Sequence, residues 1–190
     1  EYLDRVRAMA LGFIRLGLEE GDKVAMIGDN RPEGLMAEMA TLCARGVAVW
    51  LFQDCLMDEV RYIVDHSDAK FLVGEGQEEV DKALAILKDC PKLKKVIYDD
   101  PKGLRHYKQD VLIPLREVER LGGELDREKP HLFEELIAKR LRPGDISTHM
   151  YQGLQQLLDD NGKVLPYLPA ARKRGVLFDL GHGRVTLTPA

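Results

Sequence analysis

From Tyr2 to Leu18 the apolar positions Leu3, Val6, Met9, Ala10, Phe13, Ile14 and Leu16 recur mostly at helical spacing, and Gly17 and Gly21 punctuate the end. The spacing predicts an amphipathic helix. Lys23-Val24-Ala25-Met26-Ile27 is a short apolar run closed by Gly28-Asp29-Asn30, after which Asn30 and Pro32 suit the start of a helix reaching about Ala44. The same strand, turn and helix grammar repeats downstream. Residues 46–52, 69–73 and 95–98 read as strands, and residues 58–66 and 77–87 as helices. This alternation predicts an α/β fold, a partial doubly wound parallel sheet with helices on both faces. After Asp99 the alternation stops. Pro101-Lys102-Gly103 is a turn signal, and segments 114–121 and 131–140 read as helices joined by the charged stretch 124–129.

Composition narrows the functional classes. A chain of 190 residues with 45% hydrophobic and 32% charged residues buries a sizeable core and suits one domain, or one domain and a fragment. The formal net charge of -4, with no clustered Lys/Arg face, excludes an electrostatic nucleic-acid footprint. Lys92, Lys94 and Lys95 form the densest basic run, but Asp99-Asp100 follows it, so a solvated loop is expected. Cys43, Cys55 and Cys90 lack the paired spacing of a zinc knuckle or redox pair and read as reduced thiols. With no apolar run near about 20 residues and no charged-then-apolar leader, no membrane span or signal peptide is expected, and a cytoplasmic location follows by default. The chain opens at Glu1 inside a helical pattern, so its start reads as truncated; the oligomeric state is not fixed by the sequence.

Several short motifs, in this order and spacing, carry a family resemblance. They are Gly21-Asp22-Lys23-Val24-Ala25, Gly28-Asp29-Asn30-Arg31-Pro32-Glu33, Gln53-Asp54, Asp58-Glu59-Val60, Tyr62-Ile63-Val64-Asp65-His66-Ser67 and Tyr98-Asp99-Asp100-Pro101-Lys102-Gly103-Leu104-Arg105. Residues 1–140 resemble the N-terminal part of the AMP-forming acyl-CoA synthetases, most closely the long-chain fatty-acid ligases. The resemblance implies ATP-dependent conversion of a fatty acid to an acyl-adenylate and then to a CoA thioester, with ATP, Mg and CoA required. One departure is Gly34, where the family usually carries Trp. A second concerns the family's Ser/Thr/Gly-rich phosphate loop, which works because glycine lets backbone N–H groups approach phosphate oxygens while hydroxyls and a Lys add contacts. Thr148-His149-Met150-Tyr151-Gln152-Gly153-Leu154 stands in its place with one Gly, one Thr and no Lys. No catalytic or cofactor-binding residue is therefore assigned, and the chain alone is expected to be inactive. The turn at 28–32 lacks the further glycines of a dinucleotide fingerprint and reads as a turn and helix cap. His66 closes a helix, where it complements the dipole, and His106 and His131 fall in polar loops.

Residues 141–190 change character. Leu141-Arg142-Pro143-Gly144-Asp145-Ile146-Ser147-Thr148-His149, Asp160-Asn161-Gly162-Lys163-Val164-Leu165-Pro166 and residues 170–183 resemble a fragment of the deacetylase-like metallohydrolases of the amidohydrolase superfamily. That resemblance implies His149 and His182 as ligands of a divalent metal, zinc being possible. They stand 33 positions apart, close to the roughly 30 residues of one βαβ unit, so both are expected at the ends of adjacent parallel strands in a βαβ-like tail. A hydrolytic zinc site normally has three protein ligands and one open position. The family's His-x-His pair, bridging Lys and later Asp have no counterpart here. The sequence therefore supports three readings: a ligase fragment, a metallohydrolase fragment, and a non-catalytic chimeric chain built around the first α/β unit.

Overall fold

The computed structural model describes residues 2–147 and 157–179. The chain divides into two compact units, Glu1–Pro130 and His131–Ala190. In the first, elements follow as α1 (Tyr2–Arg15), β1 (Lys23–Ile27), α2 (Pro32–Cys43), β2 (Val47–Leu51), α3 (Met57–His66), β3 (Ala69–Gly74), α4 (Gln77–Ile86), β4 (Lys95–Tyr98), β5 (Leu112–Pro114) and α5 (Leu115–Glu128). The five strands form one sheet in the order β2-β1-β3-β4-β5, and every pair is parallel. Consecutive strand residues point to opposite faces, so β1 splits its apolar run between two layers. Ala25 and Ile27 pack with Val60 and Val64 of α3 and Val80 and Ala83 of α4. On the opposite face Phe71 meets Phe13 of α1 edge-on, with ring centroids 6.1 Å apart. Both faces are buried, which is why the strands are continuously apolar rather than alternating.

Three expectations for this unit need correction. The alternation does not end at Asp99: Leu112–Pro114 adds a fifth strand, parallel to β4 through Val96↔Leu112 and Ile97↔Ile113. Its three residues and terminal proline fall below the length at which period-two patterning is readable. The segments read as a helix at 114–121 and a charged connection at 124–129 are one helix, α5. Arg120 spans the expected break, donating to Glu117 and to Glu124. Asn30 is not the cap of α2; Arg31 takes that position with extended backbone and no side-chain cap bond, and Pro32 occupies the first turn as expected.

Layers α1 and α5 approach at glycines. A Cβ on Gly122 would lie 1.7 Å from the Ala8 carbonyl oxygen, and one on Gly12 would lie 2.1 Å from that of Val118. Ion pairs flank the crossing: Arg5 with Glu119 at 2.8 Å, Arg7 with Asp126 at 2.8 Å and Arg15 with Glu128 at 2.7 Å.

The second unit contains α6 (Leu132–Arg140), β6 (Ile146–Ser147), α7 (Tyr167–Lys173) and β7 (Leu177–Phe178). β6 and β7 pair in parallel through Ile146↔Leu177 and Ser147↔Phe178, with α7 between them, giving the βαβ-like arrangement expected. Its apolar centres are small. Ala138, Ala171 and Val176 form one, and Leu165 with Leu168 another.

Candidate functional site

In a parallel sheet ordered 2-1-3-4-5, the connection after β1 runs to β2 on one side and that after β3 runs to β4 on the other, and ligands bind beyond the carboxyl ends of the strands where this reversal opens a crevice. A depression of about 380 Å³, open solvent included, lies there in the first unit. Met26, Ile27, Val73 and Leu115 supply apolar lining, Trp50 a wall, and Gly28, Asp29, Arg31, Glu33, Glu75 and Asp99 the polar atoms.

Each polar residue is placed by a strand end or by the start of α2. Ile27 pairs with Gly74, so Gly28 and Glu75, each one residue further on, stand side by side. Gly28 has φ +147°, and a Cβ there would lie 3.0 Å from Cβ of Glu75, so the turn favours glycine for its conformation and for space. The Glu75 carboxylate accepts the Asp29 backbone N–H at 3.1 Å and pairs with the Arg31 guanidinium at 2.7 Å. Asp99 follows β4, its N–H donating to the carbonyls of Gly74 and Glu75 at 3.3 and 3.2 Å. Burial pushes the Asp99 carboxyl above the usual aspartate range; Glu33 adds to the rise, while Arg5 and Arg31 oppose it. Glu33 is held below its usual range, first by the hydrogen bond from Arg5 at 3.0 Å. The indole of Trp50 takes the space above Gly34, its Cη2 only 2.9 Å from where a Cβ would stand.

The turn at 28–32, read from sequence as a turn and cap only, is also one wall of this depression. Glu75 was not singled out from sequence and Asp99 only as part of a family motif, because the fold alone brings the three strand ends together. Of the other histidines, His66 ends α3 and stacks on Tyr62 with centroids 5.3 Å apart, and His131 precedes α6. The basic run is not wholly a loop: Lys95 opens β4, while Lys92 pairs with Asp68. His149 and His182 lie outside the described residues. Among the described residues no group of three or more His, Cys, Asp or Glu is arranged to hold a metal ion. The lining sets the carboxylates of Asp29, Glu33, Glu75 and Asp99 against the single guanidinium of Arg31. Arg31 and Arg5 already engage Glu75 and Glu33, and no metal-holding group stands among the described residues, so no step through ATP or Mg is derived at this wall.

With this arrangement, the comparisons with known proteins decide the family. The model of the AMP-binding enzyme family matches residues 1–151. The chain belongs to that family. It is 33% identical over 138 residues to the long-chain-fatty-acid–CoA ligase ACSBG1 of Rattus norvegicus, covering 69% of this chain and 19% of that protein. To ACSBG2 of Xenopus laevis it is 31% identical over 152 residues, covering 80% of this chain and 20% of the relative. The chain spans about a fifth of the length of the curated relatives it matches. Among solved structures, the adenylation domain of a carboxylate reductase from Mycobacterium chelonae superposes with TM-score 0.58 at 17% identity, over 65% of this chain and 22% of that one. Coronafacic acid ligase from Pectobacterium brasiliense gives TM-score 0.56 at 20% identity, over 63% and 23%. Both share the α/β fold with its parallel sheet and flanking helices. No helix among the described residues is long and apolar enough to cross a membrane.

Proposed function

We propose that this chain contributes the first α/β layer of an ATP-dependent, AMP-forming long-chain fatty-acid CoA ligase. The observation that carries this reading is the crevice at the β1/β3 switch point in a chain of the AMP-binding family. The described residues would form a rigid wall of the site: Arg31 and the Asp29 N–H fix Glu75, and Arg5 fixes Glu33. Adenylate formation needs a phosphate cradle as well, and residues 148–154 carry one glycine and no lysine. The chain on its own is therefore proposed to be catalytically silent, with fatty acid, ATP, Mg and CoA engaged only when the rest of a ligase is supplied. Cys43, Cys55 and Cys90 stand in no disulfide, which accords with a reducing, cytoplasmic setting.

Carboxylate-dependent pyrophosphate exchange tests both parts. The chain alone is expected to give the blank rate, and a long-chain ligase whose corresponding segment is replaced by residues 2–130 is expected to keep measurable exchange. Exchange by the chain alone removes the claim of silence. A folded chimera without exchange removes the ligase role.

A second reading concerns the tail. β6 and β7 pair in parallel, and positions 149 and 182 follow their ends in sequence, so we propose His149 and His182 as a weak zinc-binding pair. No hydrolytic step is assigned to them. Zinc titration that gives equal affinity for the native chain and for His149→Ala and His182→Ala excludes the pair.

A further inference from the structure

We propose that Asn161-Gly162 is a site of spontaneous deamidation, and that conversion of Asn161 to a β-linked aspartate opens the hairpin of residues 157–165. The chain holds two asparagines, Asn30 and Asn161, and only Asn161 is followed by glycine. Leu158 and Val164 form an antiparallel bridge, and inside it the Asp159 N–H donates to the Lys163 carbonyl at 2.8 Å. Asp160, Asn161 and Gly162 close the loop as a turn. The Gly162 N–H donates to the Asp159 carbonyl at 2.9 Å, and Gly162 has φ +76°.

Deamidation requires the Asn carboxamide carbon to meet the next backbone nitrogen without obstruction. Asn161 and Gly162 are both exposed. The Asn161 carboxamide makes no hydrogen bond among the described residues, since only its backbone N–H is held, by Asp159 Oδ1 at 2.9 Å. A Cβ on Gly162 would meet nothing within 4 Å, so no neighbour covers that side of the turn. Asn30 is the internal contrast. Its successor is Arg31, whose side chain crowds the nitrogen and is held by Glu75 at 2.7 Å, while the Arg31 N–H donates to the Asp29 carbonyl at 2.7 Å. The Gly162 hydrogen bond also opposes attack, but little holds the hairpin closed: one bridge, with Leu165 and Leu168 as the small buried centre beside it. A short hairpin of this kind opens locally far more readily than a packed sheet.

Once it opens, the Gly162 nitrogen attacks Cγ of Asn161. The new N–C bond forms as the Cγ–Nδ2 bond breaks, and the proton of the attacking nitrogen departs with the amide as ammonia. Water then opens the resulting succinimide without any change of oxidation state. Cleavage of the Cγ–N bond gives ordinary aspartate, whereas cleavage at the main-chain carbonyl leaves Gly162 attached through Cγ. This β-linked product adds one carbon to the main chain within the turn, and the lengthened path no longer fits the bond from Gly162 to Asp159. Loss of the turn releases the Leu158–Val164 bridge and the Leu165 N–H, which donates to the Leu157 carbonyl at 2.9 Å. This inference is independent of the ligase reading.

Peptide mass mapping of the intact 190-residue chain, held at pH 8 and at pH 5 and sampled over days, tests it together with amide exchange. The expected result is conversion of Asn161 at pH 8 at least about tenfold faster than that of Asn30, with the β-linked form in excess over ordinary aspartate. Conversion should slow at pH 5, where the attacking nitrogen is harder to deprotonate. In the converted chain the Lys163 and Leu165 amides should exchange at the rate of an unfolded segment. Asn161→Gln keeps an exposed carboxamide whose longer side chain closes a ring far more slowly, so this variant should retain its mass and its amide protection through the same incubation. Conversion of Asn161 no faster than that of Asn30 overturns the proposal, as does a product that is ordinary aspartate alone. A fully converted chain whose Lys163 and Leu165 amides stay protected overturns the opening of the hairpin.

Discussion

Gly122 and Gly123 are neighbours in α5 with opposite surroundings, and they separate two meanings of a helical glycine. A Cβ at 122 would meet the Ala8 carbonyl oxygen at 1.7 Å and the Gly12 nitrogen at 2.7 Å, both backbone atoms that cannot move aside. At 123 the nearest atom is the flexible Arg127 Nη1 at 3.8 Å. Gly122→Ala is therefore expected to destabilise by about 3 kcal/mol or more through overpacking. Gly123→Ala should stabilise by up to about 1 kcal/mol through helix propensity. Urea midpoints of the two variants check both signs; equal shifts would mean that the close crossing of α1 and α5 is wrong. Asp99 makes a second residue-scale prediction. Its folded carboxyl is raised by burial and then by Glu33, so the folded chain binds more protons than the unfolded one over a window that opens near the unfolded value of 3.8. Stability from this group is present at lower pH and is lost as pH rises through the folded value. Asp99→Asn should consequently raise Tm at pH 7 and leave it nearly unchanged at pH 3, where both forms are neutral. A gain of equal size at both values would place the effect elsewhere.

At the scale of elements, Arg5 joins three helices, since from α1 it reaches Glu33 in α2 and Glu119 in α5. Glu33 lies below its usual range because of this contact, so the stabilisation is present above the unfolded value of 4.5 and lost as pH falls through the folded one. Arg5→Met should cost about 1 kcal/mol at pH 7, the partly exposed pair being screened, with the difference narrowing below pH 4. Denaturation curves at the two pH values would detect a cost that fails to narrow. Most elements of the first unit were legible in sequence because each carries a full period of apolar positions: 23–27 and 95–98 are strands with the expected bounds, and 32–44 and 77–87 are helices within a residue. The failures have local causes. Leu112–Pro114 is too short to display a period, and Gly122-Gly123 resembles punctuation while serving as a contact surface against α1. The site was half legible. Gly28 and Arg31 announced a turn, but Glu75 and Asp99 join it only because β1, β3 and β4 are adjacent, and no sequence spacing encodes that adjacency.

For the whole molecule, the question is where independent folding ends. All five strands of the larger sheet and the helices on both of its faces lie within Glu1–Pro130, while α6 falls in the second unit. The last turns of α5 are tied to α1: Leu125 is buried, Arg7 pairs with Asp126 and also donates to the Pro130 carbonyl at 2.9 Å, and Arg15 pairs with Glu128. A chain cut after Pro130 keeps every one of these contacts and should unfold cooperatively, with Tm within a few degrees of the main transition of the full chain. A chain cut after Gly123 loses the Leu125 anchor and two of the helix-to-helix ion pairs. Burial of one leucine is worth about 2 to 3 kcal/mol, a large part of the stability of a domain of this size, so the shorter chain should melt far lower or without cooperativity. Thermal circular dichroism on the two truncations decides the matter. If the chain cut after Pro130 melts without cooperativity while the full chain does not, residues beyond 130 are integral to the first fold, and the two-unit division gives way to a single folding unit.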